Sequence, residues 1–332
     1  MSQSPATEQG AAARIRSIAL AVRDWFPTDA MDRRIGVFAW LSGIAELLII
    51  ATGGAVRLTG SGLGCPTWPT CTAESIVNTP EMGIHGVIEF GNRTLTGLVG
   101  ILAIVVLLLV LRIRRERRDL FVLAAIVLGG VVAQALVGGV TVLTGLNPFI
   151  VGFHYVASVS LVAVCAAFLA RRVEPAGVRE RAVPKPFAIL THVTTLVLAV
   201  TIVFGVLTTG AGPHSGDSAS VRNGFDAQLL EHVHAWPGYT LLALTVVLTI
   251  AAWRGALPVR RWISALLLVE LVQIAVGLYQ ARNGLPELAV GVHMVLAAVT
   301  AAVMVVVVLR LKRVRSGSPV APAAEAERPL AV

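Results

Sequence analysis

Long apolar stretches alternate with short polar segments along this chain. Eight of these stretches approach the roughly 20 residues that a helix needs to cross a bilayer. They cover approximately residues 36–56, 90–111, 120–143, 150–170, 187–208, 230–252, 262–280 and 288–309. The pattern predicts an all-α membrane protein with eight transmembrane helices.

One sequence motif occurs twice, at a constant offset of 139 residues. The first copy contains Gln134, Gly138, Gly145, Leu146 and His154, and the second contains Gln273, Gly277, Gly284, Leu285 and His293. Each half has an even number of spans, so both copies point the same way and are related by an axis along the membrane normal. We therefore expect two tandem four-helix bundles related by pseudo-two-fold symmetry along that normal.

These boundaries divide the chain into five parts. They are a cytoplasmic N-terminal segment (1–35), an N-terminal four-helix bundle (36–170), a cytoplasmic linker (171–186), a C-terminal four-helix bundle (187–311) and a cytoplasmic tail (312–332). The tail is rich in Pro, Ala and Glu and is expected to be disordered.

Composition and charge agree with a membrane protein. The 332 residues are 56% hydrophobic and only 14% charged, which is too apolar for a soluble protein of this size. The net charge of +8 comes from arginines and lysines in alternate loops, which predicts that both termini are cytoplasmic. The basic balance therefore reflects topology and anionic headgroups rather than nucleic acid. The preference for Arg over Lys indicates a GC-rich genome and a bacterial plasma membrane.

Three histidines lie within about two turns of the outward ends of their helices: His154, His234 and His293. An imidazole inside an apolar helix is costly unless it has a partner. Two imidazoles on facing helices can ligate an iron porphyrin, whereas the alternative is a hydrogen bond to a backbone carbonyl. The duplicated context favours ligation. His232 is expected at the surface, since it points to another face of the helix.

Other polar residues have two interpretations each. Glu89 is either a solvated helix-terminal residue or an acid–base group beside a buried substrate. Arg57 and Arg93 either lie at the membrane interface or bind porphyrin propionates. We expect the intramembrane groups to join helices by hydrogen bonds; these are Glu46, Glu270, Gln134 and Gln273.

Cys65 and Cys71 flank Pro-Thr-Trp-Pro-Thr in the first outward loop. A disulfide is expected on that oxidising side, with free thiols or a metal site as alternatives. Cys165 lies inside the fourth span and is expected to pack inertly.

Together these features resemble the haem A synthase family. The resemblance is carried by the segment Thr59–Cys71, by Glu89-x3-Arg93, by one histidine near the start of spans 4, 6 and 8, and by Gly212-Pro213-His214-Ser215-Gly216-Asp217. It covers about residues 36–309.

The resemblance implies that the protein oxidises the C8 methyl of haem O to a formyl group and so makes haem A for terminal oxidases. It implies haem B as cofactor, bound between His234 and His293, and haem O as substrate on the iron ligand His154. Glu89 would be the catalytic residue. The expected partners are the enzyme that makes haem O and an electron acceptor of unknown identity.

One position departs from the family pattern. Many members have a histidine three residues after the glutamate, where this chain has Asn92. The substrate iron would then have His154 and water as ligands, or His85 would take over. A di-haem electron carrier, a haem-handling protein or an assembly factor without methyl oxidation is the alternative function.

Overall fold

A computed structural model describes residues 31–315 together with Arg14, Arg16, Ser17 and Leu20. Between residues 31 and 315 there are eight long helices: α1 Arg33–Leu58, α2 Gly83–Val110, α3 Arg118–Leu143, α4 Pro148–Arg172, α5 Lys185–Ala211, α6 Ala227–Arg254, α7 Arg260–Arg282 and α8 Glu287–Leu309. All eight are long and apolar enough to cross a membrane. The prediction of an eight-span α-helical membrane protein is confirmed. Most of the predicted N-terminal segment (1–35) and tail (312–332) lies outside the described residues.

Local sequence signals set several helix starts. Asp32 caps α1 by accepting from the backbone N–H of Arg34 at 2.9 Å, and Asp226 caps α6 by accepting from that of Leu229 at 2.8 Å. Such caps satisfy donors that have no partner within the helix. The structure starts α2 at Gly83, seven residues before the predicted start at residue 90. The polar side chains of its first turns hide this start from a hydropathy pattern.

The helices pack in two groups of four. In the first group α1 packs on α2, α2 on α3, α3 on α4 and α4 on α1; α5, α6, α7 and α8 pack in the same cyclic order. The groups meet where α4 packs on α8, flanked by contacts of α1 with α8 and of α4 with α5. There the hydroxyl of Tyr155 donates to the carbonyl of Met294 at 2.7 Å. The two-fold relation and the domain division stay predictions.

The duplicated Gly-Leu pair has the same unusual backbone in both copies. Leu146 and Leu285 both have a φ of 60°, in the left-handed region that residues with a side chain rarely adopt. The glycines before them also have positive φ, 60° at Gly145 and 73° at Gly284. The repeated sequence therefore forms repeated turns, between α3 and α4 and between α7 and α8.

A short antiparallel sheet connects the predicted linker with the start of the predicted tail. Strand β1 (Arg179–Arg181) lies in the predicted linker, and β2 (Lys312–Val314) lies in the predicted disordered tail. Arg313 donates to the carboxylate of Glu180 at 3.0 Å, and this bond lowers the pKa of Glu180. The strand pair and its charges order residues 312–314, so the predicted disorder does not hold at the start of the tail.

The connections between the helices form two faces of the molecule. The linker face carries the connections at residues 111–117, 173–184 and 255–259 and the strand pair. The loop face carries residues 59–82, 144–147, 212–226 and 283–286.

Candidate functional site

Two imidazoles face each other in the C-terminal group of helices. His234 of α6 and His293 of α8 have ring centroids 6.2 Å apart and ring planes 81° apart. Nδ1 of His234 lies 3.0 Å from the carbonyl of Thr201 in α5. Since a carbonyl only accepts, Nδ1 carries the proton and the lone pair lies on Nε2. Thr201 thus fixes both the tautomer and the ring orientation, and sequence reasoning missed it because the contact uses its backbone.

The spacing of the two rings fits a metal between them. An imidazole nitrogen binds a metal at about 2.0–2.1 Å, so two rings on opposite sides of one ion have centroids about 6 Å apart. Within the described part of the chain, no group of three or more His, Cys, Asp and Glu side chains could hold a metal. A metal here would need its other ligands from a cofactor, as a porphyrin supplies them.

Glycines make room for these rings between the helices. A Cβ at Gly205 would lie 2.8 Å from Cε1 of His234, and one at Gly277 would lie 3.1 Å from Cε1 of His293. The repeated Gln-x3-Gly motif had singled out Gly277 without its reason. Gly205 lies outside that motif and was missed.

The N-terminal group has a related but different arrangement. His154 of α4 lies against Gly138 of α3, where a Cβ would be 3.4 Å from its Cε1. Gln134 donates to the carbonyl of His154 at 2.7 Å, as Gln273 does to that of His293 at 3.1 Å. Both glutamines therefore join helices, as predicted. Nδ1 of His154 and Nδ1 of His293 are buried and find no hydrogen-bond partner among the residues described.

Asn92 follows Glu89 by three residues on α2, as His234 follows Glu231 by three residues on α6. Its Oδ1 accepts from the hydroxyl of Thr52 in α1 at 2.7 Å, so the amide is held by a neighbouring helix. His85 is exposed, and its Nδ1 lies 2.9 Å from the hydroxyl of Ser61. Of the two histidines in this half, His154 is therefore the less exposed, with a buried Nδ1.

A disulfide closes the first loop of the loop face, between Cys65 and Cys71, as predicted. Glu89 is 5% exposed, and its Oε2 accepts from the backbone N–H of Cys65 at 2.7 Å. Its Oε1 pairs with Nη2 of Arg93 at 2.5 Å. Glu89 is thus not a solvated helix-end residue, because Oε2 anchors the disulfide loop and Oε1 pairs with Arg93 of the same helix.

Arginines hold backbone carbonyls of the loop face. Arg93 donates to the carbonyls of Cys65 at 2.8 Å and Thr67 at 2.9 Å. Arg57 donates to those of His214 at 2.8 Å and Thr209 at 2.9 Å. The sequence predicted interfacial or propionate-binding roles for Arg57 and Arg93 and missed these loop contacts, because their acceptors are distant in sequence. Propionate binding stays a prediction.

The disulfide loop also covers part of the N-terminal group. The indole of Trp68 packs directly against Gly139 of α3, the neighbour of Gly138. The loop therefore contacts α3 one residue along from the glycine that lies against His154.

The two intramembrane glutamates differ in whether they find a hydrogen-bond partner. Glu270 accepts from the hydroxyl of Thr245 at 3.0 Å and so joins α7 to α6, as predicted. Glu46 differs, because its Oε1 is buried and hydrogen-bonds to none of the residues that the structure describes. His232 is exposed and Cys165 is buried, both as expected.

Comparison with known proteins identifies the family. Residues 36–216 match the COX15-CtaA family, described as cytochrome oxidase assembly protein. The chain belongs to this family. The matched region contains the disulfide loop, Glu89, Arg93 and His154. His234 and His293 lie outside it, so their assignment as a pair depends on the distance between their rings.

Several curated relatives of this chain carry the name haem A synthase. The one from Lysinibacillus sphaericus is 32% identical over 141 residues, which are 42% of this chain and 44% of that protein. The one from Alkalihalophilus pseudofirmus is 32% identical over 138 residues, 40% and 45% of the two chains. The one from Bacillus cereus strain AH187 is 33% identical over 134 residues, 39% and 42%. Each match spans less than half of the relative's length.

Proposed function

We propose that this protein is a haem A synthase, which oxidises the C8 methyl of haem O to a formyl group and yields haem A. The observation that carries the proposal is the asymmetry between the halves. One half contains the imidazoles of His234 and His293, whose ring centroids are 6.2 Å apart. The other presents His154 together with the buried carboxylate of Glu89. Family membership and the names of the relatives support the same function.

In the C-terminal half, His234 and His293 would hold the iron of haem B. When bound, haem B would supply one-electron redox chemistry. Thr201 orients the first ring through its carbonyl, and Gln273 anchors the backbone of the second. Such outer contacts fix ligand orientation and tune the metal.

In the N-terminal half, His154 would bind the iron of the substrate haem O. Converting a methyl to a formyl group removes two electron pairs and adds one oxygen atom, so an electron acceptor and an oxygen donor are required. Glu89 would accept a proton from the methyl. A carboxylate oxygen has two lone pairs, so Oε2 retains one beside its bond to Cys65.

The proposal includes the location of the protein, its orientation in the membrane and its partner. The protein would lie in a bacterial plasma membrane with both termini cytoplasmic and the loop face outward, since the basic residues concentrate at the linker face. Two bundles, residues 36–170 and 187–311, would be related by a two-fold axis along the membrane normal. The enzyme that makes haem O would be the partner that delivers the substrate.

Expression with a source of haem O, followed by chromatography of the extracted haems, tests the activity. We expect haem A together with a hydroxylated intermediate. A folded, haem-loaded protein that produces neither of them would contradict the proposal. The His232→Ala variant is a control, because this exposed histidine lies on another face of α6.

A second function is favoured by one contact. Both oxygens of Glu89 are engaged by the disulfide loop and Arg93, as those of a purely structural carboxylate would be. A di-haem electron carrier or haem-handling protein would need only that role. It would show two haems and no oxidised product in the same experiment, and an assembly factor would purify without any haem absorption.

A further inference from the structure

An open cleft of about 540 Å³ lies at the linker face, between the ends of α3 and α4 and beside Leu309 of α8. Its rim is basic, with Arg118, Arg171 and Arg179. About one turn deeper along α3 its wall is apolar, where it is formed by Val122 and its neighbours. The cleft is therefore polar towards the water and apolar towards the centre of the bilayer.

The rim has more positive than negative charge. Nη1 atoms of Arg179 and Arg310 lie 2.5 and 2.8 Å from the carboxylate of Glu174, and Nη1 of Arg171 lies 3.6 Å from it. Three guanidinium groups thus share one carboxylate. Arg171 is beyond hydrogen-bonding distance, so it is the least neutralised of the three.

The α3 side of the rim adds to this excess. Arg117 pairs with the carboxylate of Asp119 at 3.1 Å, so that acid is already balanced. Arg118 is exposed, and its side chain makes no hydrogen bond or ion pair with any described residue. The cleft is therefore lined by three arginines and one carboxylate, that of Asp119, and the guanidinium of Arg118 is available to a ligand.

We propose that this cleft binds an anionic phospholipid, with the phosphate on the arginine rim and an acyl chain along the apolar wall. Guanidinium groups present paired donors that match phosphate oxygens, and basic pockets between transmembrane helices bind anionic lipid headgroups. Val122 is 42% exposed, so apolar surface is available to a chain. A free phosphate would use the rim alone.

The position of the cleft gives the lipid a structural effect. Its lining comes from α3, α4, β1 and the end of α8, so one bound lipid contacts both groups of helices. A ligand that binds the folded protein raises its stability by mass action. Lipid binding should therefore appear as a higher midpoint of thermal unfolding.

The test uses the full chain, purified and delipidated in a neutral detergent. Phosphatidylglycerol, phosphatidylcholine and inorganic phosphate are titrated separately, with thermal unfolding and native mass spectrometry as readouts. We expect saturable stabilisation and retained lipid with phosphatidylglycerol only. The Arg118→Glu variant should need about tenfold more of this lipid. Arg115→Glu makes the same charge change at an exposed residue outside the cleft and should not differ from wild type.

A second variant separates the lipid from a free anion. Val122→Trp fills the apolar wall without changing any charge, so it should weaken phosphatidylglycerol binding even if Arg118→Glu does not fold. Equal stabilisation by phosphatidylcholine, full stabilisation by inorganic phosphate alone, or equal effects of Arg118→Glu and Arg115→Glu would each overturn the proposal. Unchanged lipid binding in Val122→Trp would overturn it as well.

Discussion

The two halves of this protein contain similar helix pairs but present different groups to the space between them. In the C-terminal half, His293 faces a second imidazole, that of His234. In the N-terminal half, Asn92 has the sequence spacing from Glu89 that His234 has from Glu231, and its amide is held by Thr52. A glutamine and a glycine support His154 and His293 alike. At the imidazoles, the two halves therefore differ in whether His234 or Asn92 stands opposite the supported histidine position in the sequence repeat.

This difference suits two separate tasks. Two protein ligands hold an iron from both sides and leave no position for another group, as in an electron-transfer haem. A single protein ligand leaves one side accessible and permits a haem to enter and leave. The half with one imidazole also contains the ion pair of Glu89 with Arg93 and the disulfide loop, and the described residues of the other half contain no equivalent of either.

The largest expected effect concerns the paired imidazoles. His234→Ala or His293→Ala should remove the low-spin haem spectrum of the C-terminal half. Loss of a residue that only orients a metal ligand already lowers metal affinity by about tenfold to hundredfold, and loss of the ligand itself should cost more. Absorption spectra of the reduced, purified variants measure this. His232→Ala should retain the spectrum. Persistence of the signal in either ligand variant would show that the pair is wrongly assigned.

Substitutions of Glu89 test whether haem O is oxidised in the N-terminal half. Glu89→Gln retains an acceptor for the N–H of Cys65 but removes the base, so haem O oxidation should fall by about a hundredfold or more. Chromatography of extracted haems gives the activity, and limited proteolysis of the loop reports its order.

Glu89→Ala removes the acceptor too and should loosen the loop as well as abolish turnover. Full turnover in Glu89→Gln with an ordered loop would leave Glu89 a structural role only.

Asn92→His would convert the N-terminal half towards the C-terminal arrangement. We expect a second low-spin haem signal and a several-fold slower turnover, because a second ligand would retain the substrate. Gly53 lies opposite, and a Cβ there would still be 4.0 Å from Nδ2 of Asn92, so space is available. Spectra and product analysis of one preparation measure both effects. Faster turnover with no second signal would argue against one-sided substrate binding.

The disulfide belongs to the N-terminal half, and its loss should have a moderate effect. Cys65→Ser or Cys71→Ser opens a small ring and should lower the free energy of unfolding by about 2 kcal/mol. Denaturation of each variant beside Cys165→Ser, a buried free thiol, measures the difference. Equal thiol labelling of the wild type before and after reduction would contradict the bridge.

The smallest effects come from the glycines beside the rings. Added methyl groups should displace the rings in the order Gly205→Ala, Gly277→Ala, Gly138→Ala, since the Cβ distances to the imidazoles are 2.8, 3.1 and 3.4 Å. Overpacking of this kind costs about 1–3 kcal/mol. The haem content of each half, measured in every variant, tests this order of effects. Gly91→Ala is the control, because nothing lies within 4 Å of its Cβ; a loss there equal to that at Gly205 would disprove the steric explanation.

Much of the fold was predictable because its causes are local or covalent. Apolar length predicts each span, and α1 and α4 agree with their predicted ranges to within a few residues. Cys65 and Cys71 are near neighbours on one loop, so their pairing needed no tertiary information. The duplicated motif located His154 and His293 because a repeat is visible in the sequence itself.

The hydrogen-bond and strand-pairing partners of individual residues could be found only in the tertiary structure. Glu89 contacts Cys65 and Arg93. Arg57 contacts the end of α5 and the loop that follows it, both more than 150 residues away. Strand β2 forms at the start of the segment predicted to be disordered, because β1 supplies its partner.

The sequence by itself determined which segments enter the membrane and which histidines lie inside it, since hydrophobicity and spacing act along the chain. Only the tertiary structure decided that His234 faces His293, that glycines make room for their rings, and that arginines surround a cleft at the linker face. The physical reason is that rotation and depth of packed helices select the contacts, and these depend on all eight helices together.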